Sequence, residues 1–224
     1  MAVQVPGWKA LRDVRERFGM GAALQHLLHR AINLVMYFEW LNIIVLDRER
    51  LRALDPKLTA RLRSRLATID DLHAMRANPK LDMDDEKFRL FDAGDACLIS
   101  YADDKLAGYT WAHTKGCPEL LPGLVIAVPR QYVYNFAALT LPEFRGLGMQ
   151  PYRHHQLLDN GLWQDKRGLV GFVLQTNFPS RKGQGKSGYR KIGSIWLFGS
   201  KRHFAAVFSR SLRKLGIHRL KSAQ

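Results

Sequence analysis

The sequence predicts an α+β fold, in which strand patterns and helix patterns alternate along 224 residues. The clearest pattern is a strand, a glycine turn and a helix, in that order, within Tyr132–Trp163. Two further patterns indicate antiparallel hairpins, one in Ala96–Tyr101 with Leu106–His113 and one in residues 190–198 with 202–208. A chain of this length can bury a sizeable core as one large domain, or as one domain with an extension.

Residues 1–60 are predicted to form an N-terminal extension that is helical at first and strand-like later. Residues 8–30 place apolar side chains at helical spacing, and Gly19 and Gly21 are expected to divide them into two pieces. The most apolar stretch, Ala31–Leu46, is short for a membrane span and contains Glu39, so we interpret it as a buried helix-to-strand segment. The charged residues 47–54 are helix-prone, and a boundary is expected near residue 60.

Residues 61–208 are predicted to be the main domain. Arg61–Thr68 alternates apolar and basic side chains as a half-buried strand does. Thr68 or Asp70 can cap a short helix that runs to Met75 or Arg76. The remaining predictions in this domain are a helix within residues 82–92, the hairpin of residues 96–113, a loop over 116–129 and a strand over 169–176.

The glycine turn has a specific chemical use. Tyr132–Leu141 reads as a mostly buried strand that Pro142 ends, and Pro151 suits the first position of the following helix. Between them, Gly146 and Gly148 let the main chain come close to a ligand, and the first helical N–H groups attract a phosphate or pyrophosphate. The spacing is not that of a Walker or dinucleotide motif, so a tight turn that uses glycine only for its conformation is the alternative.

Positive charge is concentrated in the last third of the chain. The net charge is +15, yet no Asp or Glu follows Asp165, and Lys166–Lys221 contains fourteen Lys or Arg residues. Such a field attracts an anionic partner: nucleic acid, an anionic membrane, a polyphosphate cofactor or an acidic carrier protein. The alternative for residues 209–224 is a solvated basic C-terminal tail without a specific partner.

The composition also favours a reducing compartment. Cys97 and Cys117 form no disulfide framework, and Met1–Gly7 does not resemble a signal peptide. We therefore expect a cytoplasmic protein, with peripheral contact at an anionic membrane surface as an option. His154 and His155 are adjacent on a helix and cannot face one ion together, so no metal site is expected.

Within residues 61–208 the sequence resembles the GNAT-type N-acyltransferase superfamily. Leu141-Pro-Glu-Phe-Arg-Gly-Leu-Gly148 is similar to the family's pyrophosphate loop, Arg/Gln-x-x-Gly-x-Gly/Ala, although Gln150 stands at its last position. Asn177-x-x-Ser180, followed by Gly188-Tyr189, is similar to a second motif of the family. The resemblance implies a mixed, mostly antiparallel central sheet flanked by helices, preceded by the helical N-terminal extension.

The resemblance also implies a co-substrate, acetyl-CoA or another acyl-CoA. In the family the loop main chain holds the pyrophosphate, the preceding strand edge holds the pantetheine arm, and the asparagine lines the same arm. The alternative for Asn177 is a structural role, as a turn residue or as a helix cap, to which asparagine is equally well suited. The cofactor-binding residues implied here are Leu139, Leu141, Arg145, Gly146, Leu147, Gly148, Met149, Gln150 and Asn177.

The chemistry implied is attack of an amine on a thioester, which requires a base of suitable pKa and donors for the oxyanion. Chain position nominates His113 and Tyr134, where the family often places its base. A hydrogen-bonded surface role for His113 and a core role for Tyr134 are the alternatives. Gln184 stands where many members have a tyrosine acid, and it cannot usefully donate a proton.

The function that these observations favour is transfer of an acyl group, preferably acetyl, from acyl-CoA to a primary amine. One alternative is a long-chain N-acyltransferase that takes its acyl group from an acidic carrier protein, which the basic C-terminal third would attract. The other is a basic α/β module that binds nucleic acid without catalysis, for which the salt dependence of binding is the discriminating measurement.

Overall fold

The computed structural model describes residues 8–113, 117–159 and 163–220, except for the side chains of residues 8–10 and 58. Strands and helices alternate along most of this length. The helices are α1 (Trp8–Phe18), α2 (Met20–Val35), α3 (Pro56–Thr59), α4 (Ile69–Arg76), α5 (Asp85–Asp92), α6 (Met149–Asp159), α7 (Phe178–Lys186) and α8 (Arg210–Lys214). The strands are β1 (Tyr37–Asp47), β2 (Leu62–Leu66), β3 (Ala96–Ala102), β4 (Lys105–His113), β5 (Glu119–Leu121), β6 (Leu124–Val125), β7 (Tyr132–Thr140), β8 (Gly168–Leu174), β9 (Arg190–Gly199) and β10 (Phe204–Phe208).

Eight of these strands form one sheet, in the order β10-β9-β1-β8-β7-β4-β3-β2. All neighbours run antiparallel except β7 and β8, which run parallel. This confirms the mixed, mostly antiparallel sheet that the sequence predicted. The parallel pair lies at the centre of the sheet, and the position of the candidate site depends on it.

The N-terminal segment contributes to the middle of the main sheet. β1 pairs with β8 from Leu41 to Asp47 and with β9 from Tyr37 to Val45. It is almost fully buried over Leu41–Leu46 because it has a strand on either side and packed side chains on both faces. Residues 8–47 thus form two helices and then a strand that is integral to the main sheet. The domain boundary near residue 60 stays a prediction.

Helices cover both faces of the sheet. On one face, Leu157 and Leu158 of α6 pack against β1, β7 and β8, and α7 lies beside α6. On the other face, Leu72 and Met75 of α4 pack against β3 and β4, and Leu212 of α8 packs against β1 and β9. Side chains alternate between the two faces along a strand, so neighbouring residues of β4 and β7 contribute to different sides of the molecule.

Several local predictions are confirmed and others need correction. Thr68 caps α4 as predicted, in a reciprocal box with Asp71. The helix expected within residues 82–92 is α5, and the structure adds that Asp84 caps it. Residues 47–54 form only a 3-10 turn over Arg48–Arg50, and the expected loop before Pro129 contains the small β5–β6 hairpin.

The helix after the glycine turn begins two residues earlier than expected. α6 starts at Met149, so Pro151 is its third residue, which is still within the first turn, where no N–H donor is required.

The basic C-terminal segment is folded over much of its described length. α8 occupies Arg210–Lys214, and the side chains of Leu212 and Ile217 are completely buried. These apolar anchors hold the segment against the sheet while its cations remain outside. No helix in the described ranges is both long and apolar enough to cross a membrane.

Candidate active site

The parallel strands β7 and β8 separate halfway along their length and open a cleft. They pair only from Tyr132 to Tyr134, opposite residues 168–170, although both strands continue beyond this point. The gap is a cavity of about 880 Å³, which β7, β8, the glycine turn, α6 and α7 line together. A cavity of this size is in the range that small-molecule and cofactor sites occupy.

A bulge in β7 shapes one wall of this cleft. Tyr109 of β4 pairs with Leu139, but Trp111 pairs with Phe136, so β7 has one residue more than β4 over this stretch. Ala137 carries the irregularity with a φ of 45°, which is uncommon for a residue other than glycine. A bulge bends its strand, and here Ala137 and Ala138 become exposed in the middle of the sheet.

The glycine turn closes one end of the cleft with unpaired main-chain donors. Gly146 and Gly148 have φ values of 88° and 69°, a conformation that glycine adopts without strain. The N–H groups of residues 146–150 donate to no acceptor in the described part of the chain. They lie at the positive end of α6, where an anion is stabilised. This is the arrangement that the sequence predicted for a diphosphate.

Not every residue of the predicted loop and strand faces the cleft. The lining includes Leu139, Arg145, Gly146, Gly148, Met149, Gln150 and Asn177. Leu141 and Leu147 are not part of it. Leu141 is buried and its N–H donates to the carbonyl of Ala107 at 2.9 Å, so that edge of β7 is already paired. The free edge is formed instead by the exposed residues of the bulge.

A buried arginine of α6, Arg153, holds one wall of the cleft in place. The Arg153 side chain, 1% exposed, donates from Nε to Ser100 Oγ at 3.0 Å and from Nη1 to the Leu139 carbonyl at 2.9 Å and Thr140 Oγ1 at 3.0 Å. Its Nη2 atom has no partner among the described residues. Burial lowers the pKa of Arg153 to about 10, which still leaves it charged at neutral pH.

Sequence reasoning did not find Arg153, because an arginine on an amphipathic helix is normally exposed. A weak signal was present in Gly108 of β4, where a side chain would fall 2.7 Å from Arg153 Nη2 and closer still to the Leu139 carbonyl. A glycine inside a strand often marks such a close approach.

The electrostatic character of the cleft is positive. Arg17, Arg145, Arg153 and Lys186 all line it, and the described residues that line it include no Asp or Glu. Arg17 comes from α1, whose Phe18 stacks on Phe178 of α7 with ring centroids 5.7 Å apart. The N-terminal helices thus contribute a cation at the mouth of the cleft. A polyanionic ligand is favoured there.

Asn177 combines the two roles that the sequence left open. It is the N-cap of α7, where its Oδ1 accepts from the N–H of Ser180 at 3.1 Å, and it also lines the cleft. Gln184, from the same helix, lines the cleft too, and its buried Oε1 has no partner among the described residues. The Gln184 side chain therefore lies beside any bound ligand, but an amide cannot act as a general acid.

His113 lies at the end of β4, and its Nδ1 is 2.7 Å from Asp95 Oδ1. The Asp95 side chain is only 4% exposed. A buried carboxylate that orients an imidazole is a common arrangement around a catalytic base. Sequence reasoning missed Asp95 because it precedes β3 and lies far from His113 along the chain. Neither residue lines the cleft.

Tyr134 is directly opposite His113 in the β4–β7 ladder, but its environment is apolar. It is 4% exposed, and its ring stacks on Phe136 with centroids 5.2 Å apart. Burial raises the pKa of its hydroxyl far above the usual value for tyrosine, so the group stays protonated at neutral pH. These contacts favour the core role for Tyr134 over the catalytic one.

The adjacent histidines of α6 do not act together. His154 is 2% exposed and packs edge-on against Tyr189, and burial lowers the pKa of its imidazole to about 3. His155 instead contacts the carbonyl of Arg52 at 2.8 Å. Across the described ranges, no group of three or more His, Cys, Asp or Glu side chains is arranged to hold a metal ion.

Comparisons with known proteins agree with this architecture. No protein-family model matches the sequence, and no curated protein matches it. A conserved protein of unknown function from Staphylococcus epidermidis superposes with a TM-score of 0.53 at 12% identity, over 86% of this chain and 79% of its own.

A GNAT-family acetyltransferase from Colwellia psychrerythraea superposes with a TM-score of 0.50 at 13% identity, over 78% of this chain. The match spans 62% of the Colwellia protein. At such low identities these similarities show a shared fold. The chain has the GNAT-type fold that its motifs predicted.

Proposed function

We propose that this protein is an acyl-CoA-dependent N-acyltransferase that transfers an acyl group to a primary amine. The main support for the proposal is the cleft between β7 and β8. It ends at the main-chain N–H groups of residues 146–150, which have no acceptor among the described residues. Such a row of donors at a helix N-terminus fits a diphosphate. The cleft that leads away from these N–H groups fits the extended pantetheine arm of an acyl-CoA.

In this proposal the acyl-CoA lies along the cleft with its diphosphate at the glycine turn. Arg145 and Lys186 add positive charge beside the phosphates. The pantetheine arm follows the bulged edge of β7 at Ala137 and Ala138, because the main chain at Leu139 and Leu141 is already occupied by Arg153 and Ala107. The thioester then lies near the point where β7 and β8 separate.

His113 is our candidate for the base, with Asp95 as its positioning residue. The base removes a proton from the ammonium form of the acceptor, directly or through water, and the free amine attacks the thioester carbonyl. A C–N bond forms and the C–S bond breaks, and the attacking nitrogen releases its second proton to water as the amide forms. The CoA thiolate takes a proton from solvent, because Gln184 supplies none. His113 belongs to the face of the sheet covered by α4, α5 and α8, so the amine is expected to approach from that side.

The acetyl group is the preferred acyl group, and a long-chain acyl group on a carrier protein is the alternative donor. Titration calorimetry with acetyl-, malonyl- and palmitoyl-CoA tests both. We expect micromolar binding of at least one CoA thioester without nucleic acid present, and mass spectrometry should detect acylated product with a panel of primary amines. Absence of binding by all three thioesters would overturn CoA as the donor. Nucleic-acid binding that weakens steeply with salt, without acylation, would instead support the binding module.

A further inference from the structure

Helix α2 presents its apolar face to solvent. Met20, Leu24, Leu27, Leu28, Leu34 and Val35 are all exposed, and Leu34 and Val35 are 83% and 89% exposed. At 3.6 residues per turn these positions fall within about 120° of the helix circumference. We call this set of six residues the α2 stripe. It is a continuous apolar band along a helix that is about 24 Å long.

The opposite, more polar face of α2 carries the bonds that join the helix to β1. Asn33 Nδ2 donates to the Phe38 carbonyl at 2.9 Å, and the N–H of Phe38 donates to Asn33 Oδ1 at 3.1 Å. His29 lies 3.3 Å from Glu39 through its Nε2. These bonds fix the rotation of the helix relative to β1. The helix therefore cannot bury the α2 stripe by rolling without losing them.

Exposure of so many contiguous large apolar side chains normally marks an interaction surface. Scattered apolar residues on a surface need no explanation, but six on one side of one helix do. Because the bonds to β1 hold α2 with its leucines outward, another apolar phase is needed to cover the stripe.

The charges around the stripe indicate what that phase is. No Asp or Glu occurs from Arg17 to Phe38, so contact with an apolar phase buries no carboxylate there. At the C-terminal end of α2, Tyr37 pairs with Gly199, which brings the β9–β10 turn alongside. Lys201 and Arg202 in that turn are exposed. The stripe thus ends beside a basic turn.

We propose that α2 is a docking helix for an anionic lipid bilayer surface, with the α2 stripe in the acyl region and Lys201 and Arg202 at the headgroups. An amphipathic helix with a leucine-rich face and nearby cations binds lipid in this way. A second copy of the chain is disfavoured as the occupant, because two molecules of net charge +15 repel each other. The proposal does not depend on the acyltransferase function.

Sedimentation with lipid vesicles tests the proposal. The full chain is mixed with vesicles of phosphatidylcholine alone or with about 30 mol% phosphatidylglycerol, a fraction that gives a strongly anionic surface. We expect at least about tenfold tighter binding to the anionic vesicles, and weaker binding as salt rises. Absence of binding to the anionic vesicles overturns the proposal.

Two variants locate the surface. Leu24→Gln with Leu28→Gln changes only exposed side chains, so the protein should fold normally and keep its affinity for CoA thioesters while vesicle binding falls at least about tenfold. Lys201→Gln with Arg202→Gln should remove most of the preference for anionic vesicles. The matched control is Ile69→Gln, an exposed apolar position on α4 that should leave vesicle binding unchanged.

The same variants separate lipid docking from self-association. Unchanged vesicle binding by Leu24→Gln with Leu28→Gln overturns the proposal. So does a wild-type dimer in solution that this double variant converts to a monomer, since that result assigns the stripe to a second copy. Light scattering without vesicles, on the wild type and the double variant, makes this distinction.

Discussion

The guanidinium of Arg153 donates to the main-chain carbonyl of Leu139 at 2.9 Å and so ties α6 to the bulged strand β7. Leu139 immediately follows the exposed residues of the bulge, and Arg153 lies one turn after the N-terminal donors of α6. One buried side chain therefore sets the distance between the two walls of the cleft. Its charge has no carboxylate partner among the described residues. Burying this charge therefore costs free energy that no ion pair offsets.

Replacement of Arg153 by Met is expected to loosen the cleft. It leaves Ser100 Oγ and the Leu139 carbonyl without their donor, and we expect a loss of about 2 kcal/mol in the free energy of unfolding. Affinity for CoA thioesters should fall because β7 is no longer held. Urea unfolding and calorimetry measure the two effects. Arg153→Lys is the control, and it should recover little, because an ammonium cannot reproduce the forked contacts. Full donor affinity in Arg153→Met would contradict this role.

Replacement of Gly148 by Asp should abolish CoA binding. It places a carboxylate at the unpaired N–H groups of the turn and forces a side chain into a positive φ. We expect at least about a hundredfold weaker binding by calorimetry, from repulsion of the diphosphate. Gly216→Asp is the matched control, because Gly216 has a similar φ of 76° and open space around it. Equal affinity in the folded Gly148→Asp variant would count against the donor site.

The two candidate bases can be separated by activity. His113→Gln should lower kcat by about 10² to 10⁴, the range for loss of a general base, while leaving donor affinity unchanged. Tyr134→Phe should keep most of the activity, because its hydroxyl is enclosed in the core.

Asp95→Asn should give an intermediate loss of activity, and it should also change the pH profile, since it alters the partner of the imidazole rather than the imidazole itself. Steady-state kinetics across pH test this. An active His113→Gln variant together with an inactive Tyr134→Phe variant would reverse the assignment.

The pH dependence of stability should include a contribution from Asp71. Its hydrogen bonds with the Arg65 guanidinium and with Thr68 hold the pKa of this carboxyl well below its usual value, although burial opposes them. Because the pKa is lower in the folded state, the stabilisation is present above about pH 4, the usual value for an unfolded Asp, and is lost as the pH falls further.

Replacement of Asp71 by Asn should therefore lower stability by about 1 kcal/mol at neutral pH, through loss of the capping interactions. The difference from wild type should shrink in acid, because Asp71 becomes protonated in the unfolded wild-type chain while it stays ionised in the folded one. Thermal unfolding at pH 7 and near pH 3 tests this. A difference that grows in acid would show that the pKa of Asp71 is not lowered in the folded protein.

Sequence reasoning was strongest where the determinants are local. The order of strand, glycine turn and helix follows from residues within one stretch of the chain, and so does the cap of α4. It failed for Arg153 and Asp95, whose partners lie on other elements, and it did not specify where β1 lies in the sheet. The residues of β1 do not determine which strands it pairs with, because every buried strand offers the same main-chain hydrogen-bonding groups.

The chain by itself thus determined an α+β composition, the glycine turn with its unpaired donors and the surplus of positive charge, since each is a property of neighbouring residues or of a simple sum. Tertiary structure alone decided that β7 and β8 separate to leave a cleft, that Asp95 contacts His113, and that α2 exposes its leucines. Those outcomes depend on which distant surfaces pack together, and that packing is a balance over the whole molecule.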